Sequence, residues 1–222
     1  TDLIYSYGFN QIHNDNTIEA RHRLNDGSIH SITQNELVDT RDKSHQVCWG
    51  TDYFFAENHR VSLVYNGNFG KSGTDLNTTG TEISTARIDR NKQLHNVRAD
   101  YMAPFGLSVG AEYTHYIKPS NQLLKSTFEG EDWNFRTEDQ QTIDRWKVFA
   151  GQVHSLGNNW ELNYGVNLEW ARDKSFQWYY DPATGQKIHV AGDGGFSSLL
   201  DEQSQNVYAG FSKAFSEKWQ MD

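Results

Sequence analysis

Strict alternation of apolar and polar side chains is the feature that most restricts how this chain can fold. In LSVGAEYTHYIK, residues 107–118, apolar residues hold one set of alternate positions and mostly polar or small residues hold the other. Successive side chains of a β-strand point to opposite faces of a sheet, so a period of two predicts a strand with two unlike faces. One face carries Leu107, Val109, Ala111 and Tyr113, and the other carries Ser108, Gly110, Glu112 and Thr114.

The alternation recurs along the chain, and no segment shows a helical period. In WELNYGVNLEW the apolar set is Trp160, Leu162, Tyr164, Val166, Leu168 and Trp170, and the polar set includes Glu161, Asn163 and Glu169. Comparable runs occupy residues 3–10, 46–55, 59–70, 94–102, 145–156 and 206–215. With sequential neighbours paired, these runs predict an all-β fold, an antiparallel up-and-down meander of about eight strands.

The connections between the predicted strands alternate between short and long. Short turns are predicted near Asn58, Pro104, Asn158 and Glu217, and long polar loops are predicted over residues 21–43, 71–92, 118–142 and 172–204. In a meander every second connection lies at the same end of the sheet. The sequence therefore predicts one end with short turns and one end with long loops.

Short turns at one end, long loops at the other and alternating strands are typical of bacterial outer-membrane β-barrels. The ten steps from Trp160 to Trp170 span about 33 Å, which a tilt of about 40° reduces to about 25 Å, the height of the apolar band in such barrels. The two Trp residues suit the aromatic girdles of a barrel, and Glu161 and Glu169 on the opposite face suit a wet lumen.

Composition excludes several other classes of protein. Of the 222 residues only 36% are hydrophobic but 14% are aromatic, and disordered chains are poor in aromatic residues. The net charge of −9 disfavours a nucleic-acid partner. Cys48 has no second cysteine with which to form an intrachain disulfide. We expect one domain, a single barrel segment over 1–222, without a signal peptide or a plug domain.

Four segments resemble the barrel portion of TonB-dependent outer-membrane receptors of the outer-membrane β-barrel family. They are YSYGFN, WGTDYFFAENHRVSLVYNG, LHNVRADYMAPFGLSVGAEYTHYIK and VYAGFSKAFSEKWQM. The resemblance extends over nearly the whole chain as a pattern of strands and turns, without a catalytic motif. It implies a membrane protein of a Gram-negative bacterium that lies in the lipid bilayer of the outer membrane and transports a small nutrient.

The resemblance also implies partners that bind to parts of such receptors outside this chain. Such receptors have a barrel of 22 strands, an N-terminal plug and energy supplied by TonB through that plug. The chain is expected to be an internal fragment of the barrel, because it has no plug, no TonB box and no terminal strand ending in an aromatic residue. We expect its open sheet edges to pair with another chain.

The alternative hypothesis is a soluble antiparallel β-sheet domain that binds glycans through aromatic loops, because the alternation of its strands would be the same. An enzyme is not predicted, since no nucleophile and base or paired-carboxylate arrangement is identifiable, and no cofactor is implied. His13, His22 and His30 do not have the spacing of a zinc motif, and the acidic segment EGEDWN lacks EF-hand spacing.

The segment WYYDPATGQKIHV is the best-defined local feature of the chain. Asp181 to Gly185 predicts a type I turn in which Gly185 adopts a positive φ and closes a hairpin. The aromatic residues before the turn suit a platform that stacks on a sugar or peptide, the alternative being packing of loops against one another. We predict ligand capture by aromatic residues of the two longest loops: Trp133, Trp178, Tyr179 and Tyr180.

Overall fold

One antiparallel sheet contains all the strands of the part of the chain that the structure describes. The computed structural model describes the backbone of residues 1–23, 25–128, 130–188, 195–216 and 219–221. The strands are β1 (Asp2–Arg23), β2 (Ile29–Phe55), β3 (His59–Gly80), β4 (Ile83–Met102), β5 (Leu107–Phe128), β6 (Glu131–Gly157), β7 (Trp160–Tyr180), β8 (Gly195–Ser216) and β9 (Trp219–Met221). They lie in chain order, each antiparallel to the next, which confirms the predicted meander and adds a short ninth strand.

Three tight turns join strands at the same end of the sheet, called here the turn end. They lie around Asn58 between β2 and β3, around Pro104 between β4 and β5, and around Asn158 between β6 and β7. Asn58 and Asn158 have φ values of 65° and 51°, in the left-handed region that asparagine tolerates better than most residues. These positions confirm three predicted short turns, and the fourth, near Glu217, lies outside the described residues.

The predicted long loops at the opposite end, called here the far end, are wrong for most of their length. Their residues continue the strands, and the described residues that lie between strands at this end are only 25–28, 81–82, 130 and 181–188. β3, for example, has 22 residues, which corresponds to a length of about 70 Å. The far half of the sheet therefore extends well beyond the thickness of a bilayer core.

Polar residues on both faces explain why these extensions do not show the period of a strand. The hydroxyls of Thr40 and Thr74 lie 3.2 Å apart across β2 and β3, and those of Ser175 and Ser198 lie 2.7 Å apart across β7 and β8. Cross-strand pairs of this kind stabilise a sheet without any apolar alternation. The extensions are held by backbone pairing and by polar contacts.

The register of the strands confirms the two predicted faces. Val109 lies opposite Ala150, which lies opposite Val166. On the other face, Glu112 lies opposite Lys147, which lies opposite Glu169. Partners in register share a face. All eight apolar residues predicted to share a face do so: Leu107, Val109, Ala111, Tyr113, Leu162, Tyr164, Val166 and Leu168.

Burial identifies the curvature of the sheet. Side chains on the inner side of a curved sheet converge and shield one another, whereas those on the outer side spread apart. The buried residues with side chains in the strands all lie on the face of Glu112: Ser62, Thr78, Ser84, Ala86, Ser120, Ser126 and Thr137. We therefore call the face of Glu112 the concave face and the face of Val109 the convex face.

The sheet has no second layer over its convex face within the described residues, and no large side chain there is fully buried. Leu3, Tyr53 and Val207 on this face are 69%, 67% and 83% exposed. An apolar face of this extent needs a cover, because soluble proteins rarely expose large contiguous apolar patches. In the described residues, no helix is long and apolar enough to cross a membrane.

Candidate functional site

An oblique band of apolar side chains crosses the convex face from β1 to β8. We call it the apolar band. Its edge toward the far end is Phe9, Phe69, Val97, Tyr113, Trp146, Trp170 and Val207, and polar or charged side chains predominate on this face beyond it. Toward the turn end the band reaches Phe55, Tyr101, Leu107, Trp160 and Phe211.

If the apolar band lies parallel to the plane of a membrane, the angle between the band and the register rows gives the tilt of the strands. Following the register from Phe9, with the step from β4 to β5 taken from the adjacent pairs Arg90–Ser120 and Gln93–Ile117, leads to Ser197 on β8. The edge of the band on β8 lies ten residues closer to the turn end, at Val207. Over seven strand-to-strand steps this is about 1.4 residues per step, which corresponds to a tilt of about 45° for strands about 4.8 Å apart.

The turn end shifts in the same direction as the far edge of the band. The register row of Leu107, at the start of β5, meets β7 at Tyr164, four residues after β7 begins at Trp160. Both borders of the apolar band therefore cross the sheet obliquely and in the same sense. A tilt of this size falls at the upper end of the range for strands in membrane β-barrels.

Aromatic rings are concentrated along both borders of the apolar band. At the far edge the ring centroids of Tyr113 and Trp146 are 4.4 Å apart. At the turn end the rings of Phe55 and Tyr101 stack with centroids 6.3 Å apart, and those of His154 and Tyr164 stack at 5.8 Å. This arrangement matches the two aromatic girdles predicted from Trp160 and Trp170.

The concave face carries paired charges at the level of the apolar band. Arg145 Nε lies 2.6 Å from a carboxylate oxygen of Glu169, and Lys147 Nζ lies 3.7 Å from the other. Arg98 binds Asp100 through Nε at 2.8 Å. A trough of 780 Å³ opens on this part of the sheet, and its lining includes Asp52, Arg60, Asn96, Arg98 and Glu112. The concave face is therefore hydrophilic and charged where the convex face is apolar.

Sequence reasoning missed an apolar patch on the concave face near the far end, called here the far-end patch. It is a register row of five side chains on neighbouring strands: Val38, Leu76, Ala86, Leu124 and Phe135. Each strand contributes one residue, and each lies inside a segment predicted to be a loop. The register alone brings these residues together, so no local pattern in the sequence could have found them.

The four predicted ligand-capture residues do not lie in loops and do not form one platform. Trp133 belongs to β6, and Trp178, Tyr179 and Tyr180 belong to β7. Because side chains alternate along a strand, Trp178 and Tyr180 lie on the convex face, whereas Tyr179 lies on the concave face with Trp133. The predicted loop positions are therefore wrong, and Trp178, Tyr179 and Tyr180 do not share one face, whereas the role of the four residues in ligand capture stays a prediction.

The two pairs of aromatic residues have different surroundings. On the convex face, Lys187 Nζ lies 3.9 Å from the ring centre of Trp178, and Arg136 Cζ lies 4.8 Å from that of Tyr180. On the concave face, the rings of Tyr179 and Phe135 meet edge to face at 5.9 Å, which places Tyr179 against the far-end patch. Trp133 lies beyond Phe135 on the same face and is 61% exposed.

A turn is present from Asp181 to Gly185, and Gly185 has the predicted positive φ, 69°. Its closing hydrogen bond joins residues four apart, unlike the bond of a type I turn, which joins residues three apart. The amide of Gly185 donates to the carbonyl of Asp181 at 2.8 Å, and a single bridge pairs Tyr180 with Lys187. The backbone N–H of Ala183 and the hydroxyl of Thr184 both donate to the Asp181 carboxylate, which lowers the pKa of that group. In the glycine-rich segment AGDGGFSS, residues 191–198, residues 191–194 lie outside the described residues.

The described side chains contain no group of three residues that could hold a metal ion. His13 is instead paired with Asp39, with its Nδ1 2.7 Å from the carboxylate, and this hydrogen bond raises the pKa of the histidine. Glu129 and the side chain of His30 lie outside the described part of the chain.

Two of the solved structures that match this chain align with nearly all of it. The ferric yersiniabactin uptake receptor FyuA from Yersinia pestis aligns with 98% of the chain at 8% identity and a TM-score of 0.39. The ferric citrate transporter FecA in its unliganded form aligns with 95% of the chain at 11% identity and a TM-score of 0.48. The chain spans 44% of the first structure and 35% of the second. At this level of similarity neither structure assigns a family or a ligand to the chain.

No protein-family profile matches the chain, and no curated protein matches it in sequence. A function for the chain therefore has to be inferred from the geometry of its two faces.

Proposed function

We propose that this chain is part of the wall of an outer-membrane β-barrel that takes up a small nutrient. The observation that carries the proposal is the oblique apolar band on the convex face, opposite a charged concave face. In a membrane barrel the convex face meets lipid and the concave face meets an aqueous lumen. The opposite arrangement, with an apolar concave face, would be needed for a small soluble barrel with a packed core.

The obliquity of the band argues against a soluble sheet. A membrane has a fixed thickness, so tilted strands must place their apolar segments at successive offsets in register. The shift of about 1.4 residues per strand has the size that this requirement produces. A soluble glycan-binding domain has no such requirement, and it would need a second layer to cover the band.

The concave face defines the path of the ligand in this proposal. Its paired charges, including Arg145 with Glu169, keep the concave face hydrated and make it polar at the level of the membrane. The ligand is a glycan, a peptide or a metal chelate, and coupling to TonB takes place through a plug domain that lies outside this chain. The role is transport and ligand binding, without catalysis.

Capture of the ligand is assigned to the concave aromatic residues of the far end. Tyr179 and Trp133 lie on the concave face of the extended strands, and Tyr179 contacts Phe135 of the far-end patch. Aromatic rings bind the apolar faces of sugars, peptides and chelates by stacking. Trp178 and Tyr180 are excluded from this role because they lie on the convex face.

The experiment compares nutrient uptake by variants of the full-length protein. A bacterial strain that lacks the protein is tested for growth on limiting ferric chelates, oligosaccharides and peptides, and the nutrient it fails to use is retained as the probe. Replacement of Trp133 and Tyr179 by Ala is expected to weaken probe binding by about ten- to a hundredfold, since each stacking ring contributes about 0.7–1.4 kcal/mol.

Trp178→Ala is the matched control, because it removes a ring of the same hairpin from the convex face. It is expected to leave probe binding unchanged, and all variants should be present in the membrane in equal amounts. The proposal of ligand capture is wrong if the double variant binds the probe as well as the wild type. The proposed role in nutrient uptake is wrong if the deletion strain grows normally on every nutrient tested.

A further inference from the structure

Three basic residues form a cluster on the convex face directly beyond the apolar band. We call Arg41, Lys43 and Lys71 the basic cluster. Lys43 and Lys71 lie opposite each other in register on β2 and β3, and Arg41 lies two residues before Lys43, toward the far end, on the same face of β2. All three are exposed. Two members of the band adjoin the cluster. Phe9 of β1 lies opposite Lys43, and Phe69 lies two residues before Lys71 on the same face of β3.

The charges of the basic cluster are not neutralised within the described part of the chain. None of the three residues makes an ion pair there, and two like charges directly opposite each other destabilise a sheet. The nearby acidic residues have other partners. Asp39 is bound by His13 at 2.7 Å, and Asp75 and Asp89 share Arg87 at 3.6 and 3.2 Å.

Next to the band on the other side of the sheet the charged groups are paired, although Lys174, two residues beyond Arg172, makes no ion pair among the described residues. Arg172 Nε lies 2.6 Å from Asp201 across β7 and β8, and Asp144 on β6 accepts hydrogen bonds from Tyr113 and His115. Next to the band the convex face thus carries paired charges on β6 to β8 but, on β2 and β3, three exposed basic residues without an ion pair in the described part of the chain. An anion at the basic cluster would offset this local positive charge.

We propose that the basic cluster binds the anionic phosphate headgroup of a membrane lipid whose acyl chains lie along the apolar band. This inference rests on the proposed membrane location. Because Phe9 and Phe69 adjoin Lys43 and Lys71, the acyl chains of a lipid on the band would end next to the basic cluster, where its phosphate would lie. A lysine near an anionic membrane surface contributes about 1 kcal/mol to binding, and the paired lysines lose their mutual repulsion when a phosphate bridges them.

The test measures lipid binding by the full-length protein in detergent micelles. Phosphatidylglycerol is titrated, and bound lipid is counted by native mass spectrometry. The variant K43Q/K71Q is expected to bind it about ten- to thirtyfold more weakly, as the loss of two lysines near an anionic headgroup predicts. The variant should fold normally, because it removes a repulsive pair without disturbing the backbone.

The control variant K92Q/K118Q removes two lysines at nearly the same level of the sheet from the concave face. It is expected to bind phosphatidylglycerol as the wild type does. Equal weakening by both variants, or no weakening by K43Q/K71Q, overturns the proposed lipid site. Inorganic phosphate at the same concentration should not displace the lipid, and displacement would show that the cluster is a site for free phosphate instead.

Failure of this proposal is separable from failure of the proposed function. Wild-type protein that is embedded in micelles but binds no phosphatidylglycerol overturns only the lipid site. Wild-type protein that stays folded and monodisperse in buffer without detergent or lipid overturns the membrane location and the lipid site with it.

Discussion

Arginine in place of Val166 is expected to lower the free energy of unfolding of the bilayer-inserted protein by about 2–4 kcal/mol, the cost of a charged residue on the lipid face of a barrel at mid-membrane. Val166 lies midway along the band on β7, between Ala150 of β6 and Val207 of β8. An arginine there must be desolvated or must distort the bilayer. The measurement is urea-induced unfolding of the full-length protein in lipid vesicles.

Asn167→Arg is the matched control, because it places the same charge one residue away on the concave face. Its register partners are Phe149 and Asn206, and it faces water in our account. The control is expected to cost less than about 1 kcal/mol, as is usual for a surface substitution. Equal destabilisation by the two variants would contradict the assignment of the faces.

The second large effect is expected at the turn between β4 and β5. Gly106 has φ 86°, and a Cβ there would collide with the carbonyl oxygen of Val153. The Gly106 carbonyl also accepts a hydrogen bond from the backbone N–H of Val153 at 3.0 Å, so the turn and the adjacent part of β6 cannot separate freely. Gly106→Ala is expected to destabilise the protein by about 2–5 kcal/mol, from backbone strain and overpacking together.

Gly157→Ala separates the two contributions to this loss. Gly157 lies at the turn between β6 and β7 with φ 80°, but no heavy atom lies within 4 Å of a Cβ built there. This variant should lose only about 1–2 kcal/mol, the cost of a left-handed conformation for a residue with a Cβ. Both losses are measured by urea-induced unfolding in vesicles. A loss for Gly106→Ala no larger than that for Gly157→Ala would show that the collision with Val153 is relieved by movement of the turn.

The sequence predicted the part of the fold that lies within the apolar band. Alternation along residues 107–118 and 160–170 assigned faces that the register confirms, because lipid or a core on one side forces a period of two. The three described short turns were also predicted, since Asn58, Asn158 and Pro104 interrupt apolar runs. These features are local, and a local pattern is enough to find them.

The far half of the sheet could not be predicted in this way. Where both faces meet water, as around Thr40 and Thr74, a strand has no apolar period and its residues read as a loop. That error carried over to the aromatic residues. Once 172–180 is seen to be strand, Trp178 and Tyr179 must point to opposite faces, which a loop would not require.

Contacts between strands were beyond sequence reasoning because they depend on register. The ion pair between Arg145 and Glu169 joins residues on β6 and β7 that no motif relates. The far-end patch and the basic cluster arise in the same way, from single residues on separate strands. The oblique course of the apolar band likewise emerges only when the strands are aligned with one another.

The central claim is that lipid covers the convex face and water covers the concave face. Single cysteines at positions 163, 164, 166 and 167, in the full-length protein with Cys48 replaced by Ser, test it most directly. With the protein in lipid bilayers, a water-soluble thiol reagent should label positions 163 and 167 readily and leave 164 and 166 unlabelled until the bilayer is dissolved. Ready labelling at 164 and 166 in intact bilayers, at the rates seen for 163 and 167, would contradict the account.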